Sequence, residues 1–212
     1  MFVADWMTRQ VVTVGPDESI SHAMHLMKER RIKHLPVVQA GAPVGVLSDR
    51  DIRAFTPSKA TSLDVYEINY LLAKAVVRDA MGARLTTTTP DTPVEEAALA
   101  MLDNDIGCLP VLEDAVLVGI ISDRDIFRSL VDITGVRHGG HRVCVTVADS
   151  PGTIRDLADI VRGAGFHMQG ILSSYEGVAK GSRRVVVRTD TAGDFAALRA
   201  ALERSYSFVK IS

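Results

Sequence analysis

An α+β fold is predicted: two β-α-β-β-α repeats packed as one module, followed by a β-α-β-β-α-β domain. Two observations carry this. The chain matches itself at a constant offset of 74 residues with no gap, beginning with Asp79 over Asp5, and self-similarity at a fixed period marks repeated supersecondary units. After Gly139 the hydrophobic pattern changes to strand, helix, hairpin, helix, strand.

The repeat is specific in its residues. Met7 falls on Met81, Pro16 on Pro90, Asp17 on Asp91, Ala23 on Ala97, Met27 on Met101 and Ile32 on Ile106. Leu35-Pro36-Val37 falls on Leu109-Pro110-Val111, Gly45 on Gly119, and Ser48-Asp49-Arg50-Asp51-Ile52 on the identical block Ser122 to Ile126. Each copy opens with a stretch read as a strand, Val11 to Val14 and its counterpart Leu85 to Thr88. A helix follows. In the first copy Ile20, Ala23, Met24 and Met27 make one apolar face, and in the second Thr92, Pro93 and Glu95 supply an N-cap, a first-turn proline and a capping-box acid. Two short apolar strands come next, Leu35 to Val38 with Val44 to Leu47, and Leu109 to Leu112 with Val116 to Ile121. Between the copies, residues 58–77 read as a helix apolar nearly all round, expected to bridge the repeats or to pack at a subunit interface. The boundaries expected are 1–59 for the first repeat, 60–76 for the connecting helix, 77–134 for the second repeat and 139–212 for the last domain.

In that last domain the strand is expected at Arg142 to Val147, the helix at Ile154 to Ala164 with an inward stripe of Ile154, Leu157, Ala158 and Val161, and the hairpin turn near Glu176-Gly177. A second helix is expected at Asp194 to Leu202 and a last strand at Phe208 to Ile211, the ferredoxin-like order with helices on one face of an antiparallel sheet.

The doubled pattern of a Leu-Pro-Val strand and Gly-x-x-Ser-x-x-Asp running into a helix resembles the CBS domain, which occurs in pairs. The likeness covers residues 1 to about 134. It implies a cleft for an adenosine-containing ligand such as AMP, ADP, ATP or S-adenosylmethionine, with Ser48 and Asp51, and Ser122 and Asp125, in the nucleotide sites. The chemistry agrees: a carboxylate accepts two hydrogen bonds from vicinal ribose hydroxyls, and a serine hydroxyl donates to a phosphate or ribose oxygen. Arg50 and Arg124 lie inside the motifs and are candidates to grip phosphate. Lys33, His34 and Arg53 make the first copy more basic than Gly107, Cys108 and Phe127 make the second, so the two sites are expected to differ. By resemblance the backbone of Val12 and Thr13, of Thr86 and Thr87, and the residues beside Pro36 and Pro110 would frame the adenine. The same Ser-Asp-Arg-Asp block is also a sound helix N-cap, with acids at the positive end of the dipole, and that structural reading stands beside the functional one.

The C-terminal segment, with Asp149-Ser150-Pro151-Gly152 after its first strand, resembles the ACT domain, a regulatory fold that often binds amino acids at dimer interfaces through this turn. A turn of this composition is also expected on structural grounds, and a helix N-terminus suits a carboxylate. The order CBS, CBS, ACT is similar to acetoin-utilisation-type regulatory proteins.

The function expected is therefore non-catalytic regulation by a small-molecule effector, in a homodimer that acts on a metabolic enzyme, with no cofactor required. The alternative is a scaffold with empty clefts, and an enzyme using Asp51 or Asp125 with a metal is a further rival. Composition excludes other classes. A net charge of −2 and 5% aromatic residues offer little to nucleic acid. No stretch approaches the roughly 18 apolar residues of a spanning helix, and the N-terminus lacks a signal-peptide pattern. Two isolated cysteines, Cys108 and Cys144, form neither a disulfide framework nor a metal spacing, which points to a reducing cytoplasm. The pairs His22 with His25 and His138 with His141 have no recurring ligand partner, so no metal is expected. None of the phosphate-loop, nucleophile-elbow or zinc-protease spacings occurs.

Overall fold

A computed structural model describes residues 1–55, 74–82 and 84–212. The connecting helix expected over 58–77 lies, apart from its last residues, outside the described part. The chain divides into two compact units, Met1–Phe127 and Arg128–Ser212.

The first unit follows the 74-residue offset element by element. A one-turn helix α1 (Val3–Trp6) is followed by helix α2 (Ile20–Arg30), strands β1 (His34–Gln39) and β2 (Ala42–Ser48), and helix α3 (Asp49–Phe55). The second set is α4 (Val77–Ala80), α5 (Val94–Asp103), β3 (Cys108–Glu113), β4 (Val116–Ser122) and α6 (Asp123–Ile133). α2 is capped by Ser19, whose side chain accepts from the His22 N–H, and it stops at Arg31 in the left-handed conformation at φ 54°. Each antiparallel β-pair carries the same irregularity, after Val37 and after Val111.

The strands expected at Val11 to Val14 and Leu85 to Thr88 are not present as such. Only Val14 and Thr88 pair, each through a single parallel bridge, to Val37 and Val111. Val14 N–H donates to Pro36 O (3.2 Å) and Val14 O accepts from Val38 N–H (2.9 Å); Thr88 does the same with Pro110 and Leu112 (3.0 and 2.8 Å). The next rung of a parallel ladder would need an N–H from Pro36 or Pro110. Proline has none, so the pairing ends after one bridge.

The packing crosses between the repeats. The first core, built on Ile20, Ala23, Met27, Leu35, Val37, Leu47 and Ile52, takes in Val77 of α4 with Ala80 and Met81. The other, built on Ala97, Met101, Leu109, Val111 and Ile121, takes in Val3 of α1 with Met7. Each leading helix thus completes the core of the other copy. The main chain is exchanged in the same sense: Val3 N–H donates to Thr92 O and Thr8 pairs with Ile120, while Val77 N–H donates to Glu18 O and Gly82 N–H to Val46 O. Gly45 and Gly119 make room for this. A Cβ on Gly119 would lie 2.5 Å from Met7 Sδ, and one on Gly45 2.9 Å from Met81 Sδ. Burying Val3 and Val77 completely contributes about 1.5–3 kcal/mol each, so neither repeat retains its full core without the other.

In the second unit a 3₁₀ turn (Val136–His138) precedes β5 (Arg142–Ala148), α7 (Thr153–Gly163), β6 (Met168–Ser174), β7 (Ser182–Thr189), α8 (Phe195–Ser205) and β8 (Val209–Ile211). The sheet order is β6-β7-β5-β8 with antiparallel neighbours, the ferredoxin-like arrangement. Val143, Val145, Val147, Val185 and Val187 alternate toward the helices and meet Leu157, Val161, Leu198 and Leu202. Asp194 caps α8 by accepting from the N–H groups of Ala196 and Ala197 at 2.9 and 3.0 Å.

Candidate cleft of the first unit

The Ser-x-x-Asp motifs sit where a strand becomes a helix, and their first task is local. Ser48 ends β2 and Asp51 is in the first turn of α3. Asp51 N–H donates to Ser48 Oγ (3.1 Å), while Asp51 Oδ2 accepts from the Ser48 N–H (2.8 Å) and hydroxyl (2.6 Å). This is reciprocal capping of the kind in which Ser and an acid three residues on satisfy each other's N–H groups. In the second copy Asp125 Oδ2 accepts from the Ser122 N–H and hydroxyl at 3.0 and 2.7 Å. Both copies use only Oδ2 in these bonds. Among the described residues Asp51 Oδ1 has no hydrogen-bond partner, and Asp51 is one of the residues that line a cleft.

That cleft has a volume of about 860 Å³ and is bounded by both repeats. Lys33, His34, Ser48, Arg50, Asp51, Thr86 and Cys108 line it together. Val12, Thr13, Pro36, Thr87, Pro110, Ser122, Arg124 and Asp125 are not among its lining. Pro36 and Pro110 are buried within β1 and β3, Thr13 and Arg124 are exposed, and Asp125 is 8% exposed. The structure therefore gathers the motif of the first copy and adds to it Thr86 and Cys108 of the second. Sequence reasoning missed Arg84, Asp105 and Asp123 as lining residues, with the apolar Met101, Leu102 and Ile106. Asp123 belongs to the repeated block and was within reach of the sequence. Arg84 and Asp105 lie outside any motif and only the fold brings them in.

The charges in the cleft are partly paired. Arg50 Nη1 lies 3.2 Å from Asp105 Oδ2, and Arg53 Nη2 lies 2.7 Å from Asp49 Oδ2. Arg50, expected to be open for phosphate, thus has a carboxylate across the cleft with which a ligand must compete. Lys33 and Arg84 have no acid partner among the described residues. Burial pushes the His34 imidazole below its usual 6.5; Lys33 adds to this, and the opposing pull of Asp123, Asp49 and Asp51 is too weak to reverse it. The ring is neutral at pH 7, able to donate through one nitrogen and accept through the other. It lies against Gly107, where a Cβ would come within 2.8 Å of Nε2. Cys108, the repeat counterpart of His34, has its thiol pushed up to about 12, chiefly by burial and further by Asp123 and Asp51. It stays protonated, a packing group and not a nucleophile.

His22 lies 3.1 Å from Glu18 and His25 4.0 Å from Glu29. Among the described residues no three His, Cys, Asp or Glu side chains gather as a metal site, and no helix is long and apolar enough to cross a membrane. In the second unit Asp149, Ser150, Pro151 and Gly152 are exposed in the turn before α7. Asp149 lies 3.6 Å from Arg183 Nε and accepts from Tyr175 at 3.5 Å, the Ser150 and Thr153 hydroxyls are 3.1 Å apart, and Gly152 takes φ +94°. These bonds shape a turn and leave the structural reading sufficient.

Comparison with known proteins agrees with the architecture of the first unit. A CBS domain-containing protein of Bacillus subtilis, YhcV, is 32% identical over 124 residues, which are 58% of this chain and 81% of YhcV. The structure of a protein from Vibrio cholerae described as an acetoin utilization protein, AcuB, superposes with a TM-score of 0.53 at 30% identity, covering 65% of this chain and 95% of AcuB. The CBS domain pair of MJ0100, solved with 5′-methylthioadenosine and S-adenosyl-L-methionine, superposes with a TM-score of 0.51 at 26% identity, covering 61% and 95%. The CBS domain profile matches residues 3–57 and 77–132, the two repeats with their exchanged helices, and the chain belongs to the CBS-domain family.

Proposed function

We propose that this chain is a non-catalytic regulatory protein that senses an adenosine-containing ligand in the cleft of its CBS pair. The observation that carries the reading is the cleft of about 860 Å³ with Asp51 in its lining, one carboxylate oxygen held by Ser48 and the other without a partner among the described residues, an arrangement that suits a ribose. Its size falls in the range of roughly 300–1,000 Å³ typical of small-molecule sites. Lys33 and Arg84 can take phosphate, and neutral His34 can hydrogen-bond a base or sugar edge. The adenosine compounds bound by the MJ0100 pair support the ligand class. The list AMP, ADP, ATP and S-adenosylmethionine stays open, with the second motif, Ser122 and Asp125, as a candidate second site.

For signalling, the ligand must favour one arrangement of the module over another, by about 1–3 kcal/mol of coupling. We assign the second unit the role of an ACT domain, from residue 139 on, which mediates homodimer contacts and takes an amino acid at Asp149 to Gly152. A metabolic enzyme in the cytoplasm is the regulated partner in this reading. The test is the thermal midpoint of the full chain with each of the four ligands, beside an Asp51→Ala, Asp125→Ala double variant shown to be folded. A ligand at 100 times its dissociation constant adds about 2.7 kcal/mol. A shift with one ligand that is lost in the variant supports the sensor. No shift with any of the four makes the chain a scaffold for its partner.

A further inference from the structure

The outer face of the second unit's sheet, opposite its helices, carries the residues that alternate with the buried valines. On β5 these include Arg142 and Cys144, on β7 Arg184, Val186 and Arg188, on β8 Lys210 and on β6 Gly170 and Leu172. Four of them are cations and none is an acid. Among the described residues Arg162 pairs with Asp159, Arg183 with Asp149 and Arg199 with Glu203, and no described acid pairs with any of the four. Arg142 and Arg188 are direct cross-strand partners, an arrangement in which like charges destabilise a sheet.

Between them lies a cavity of about 110 Å³, lined by Arg142, Arg188, Thr134, Gly170, Leu172 and Val186. One water needs roughly 10–15 Å³ on the same measure, so the space suits a molecule of several heavy atoms. Arg188 is held in place: its Nε and Nη1 donate to Thr134 O (3.0 Å) and Gly139 O (3.1 Å). Arg142 pairs Ser212 through its main chain, but among the described residues its guanidinium has no partner. Two guanidinium groups over an apolar floor match a ligand with an anionic head and a short apolar tail, since Arg binds carboxylates in its planar fork.

We propose that this cavity binds a small aliphatic carboxylate, with Arg142 and Arg188 on the carboxylate and Leu172 and Val186 against the tail. The site is separate from the turn at Asp149 to Gly152 and does not depend on the adenosine cleft. The test follows backbone amide resonances of the full chain during titration with butyrate, with inorganic phosphate and with sodium chloride at matched ionic strength. Expected are saturable shifts at Gly170, Val186 and Arg188 with butyrate, weakened at least about tenfold in Arg142→Gln and partly restored in Arg142→Lys. Asp51→Asn should bind butyrate like the unaltered chain, which keeps this site apart from the cleft. Phosphate binding tighter than butyrate, shifts that follow chloride equally, or undiminished binding by Arg142→Gln would each overturn the proposal.

Discussion

The two repeats of the first unit share one skeleton and differ on the surface they turn to the cleft. What is kept decides the backbone: Met7 and Met81 pack on Gly119 and Gly45, the prolines stop the same ladder, and the Ser-Asp pairs cap the same helices. What differs decides the chemistry. Lys33, His34 and Arg53 stand where the other copy has Gly107, Cys108 and Phe127, so a nearly two-fold scaffold holds an asymmetric site. A repeat can diverge in this way because a residue on the cleft wall is free of the packing that constrains a residue under the exchanged helix.

The comparison can be broken most severely at the exchange. Val3→Asp places a charge in the core of the second repeat, with an expected loss of more than about 3 kcal/mol. Hydrogen exchange should then show protection falling at Cys108–Ser122. Loss confined to His34–Ser48 would refute the crossed packing.

The next effect separates the two motifs. With ligand at about 100 times its dissociation constant, Asp51→Asn should remove the roughly 2.7 kcal/mol of stabilisation. Asp125→Asn should retain it at the cleft lined by Asp51. The reverse result would move the ligand to the second copy. Gly119→Ala should cost about 1–3 kcal/mol by denaturant midpoint, more than Gly45→Ala, because its Cβ meets Met7 more closely.

A smaller effect depends on pH. The folded chain holds His34 below its usual 6.5, so the unfolded chain takes the proton first, and stability present above that pH is lost as the pH falls through it. His34→Gln should flatten the slope of stability against pH below about 6.5. Cys108→Ser should leave that slope unchanged, since the thiol titrates only at about 12. Smallest is the cross-cleft ion pair: Arg50→Ala should change stability by less than about 1 kcal/mol, because both Arg50 and Asp105 are largely exposed. Under the proposed sensor function its effect should appear in the affinity for the adenosine-containing ligand instead.

The repeat offset, the strands of both β-pairs and the six-element order of the second unit were legible because each rests on local periodicity and turn residues. Leu35-Pro36-Val37 and its copy are an example: apolar, bounded by turns, and strand in both places. The stretch Val11 to Val14 misled, because apolar character does not reveal whether a neighbouring strand has an N–H to give. Pro36 held that information, but only for a reader who knew which residue it would face.

Of the site, the sequence by itself determined the Ser-x-x-Asp motifs and their place at a helix start, because capping is a matter of three residues' spacing. Only the tertiary structure decided that Arg84 and Asp105 join Asp51, that Arg50 meets an acid, and that α1 serves the repeat it does not precede. Those outcomes depend on pairings between residues tens of positions apart, which burial and chain geometry select and no local pattern records.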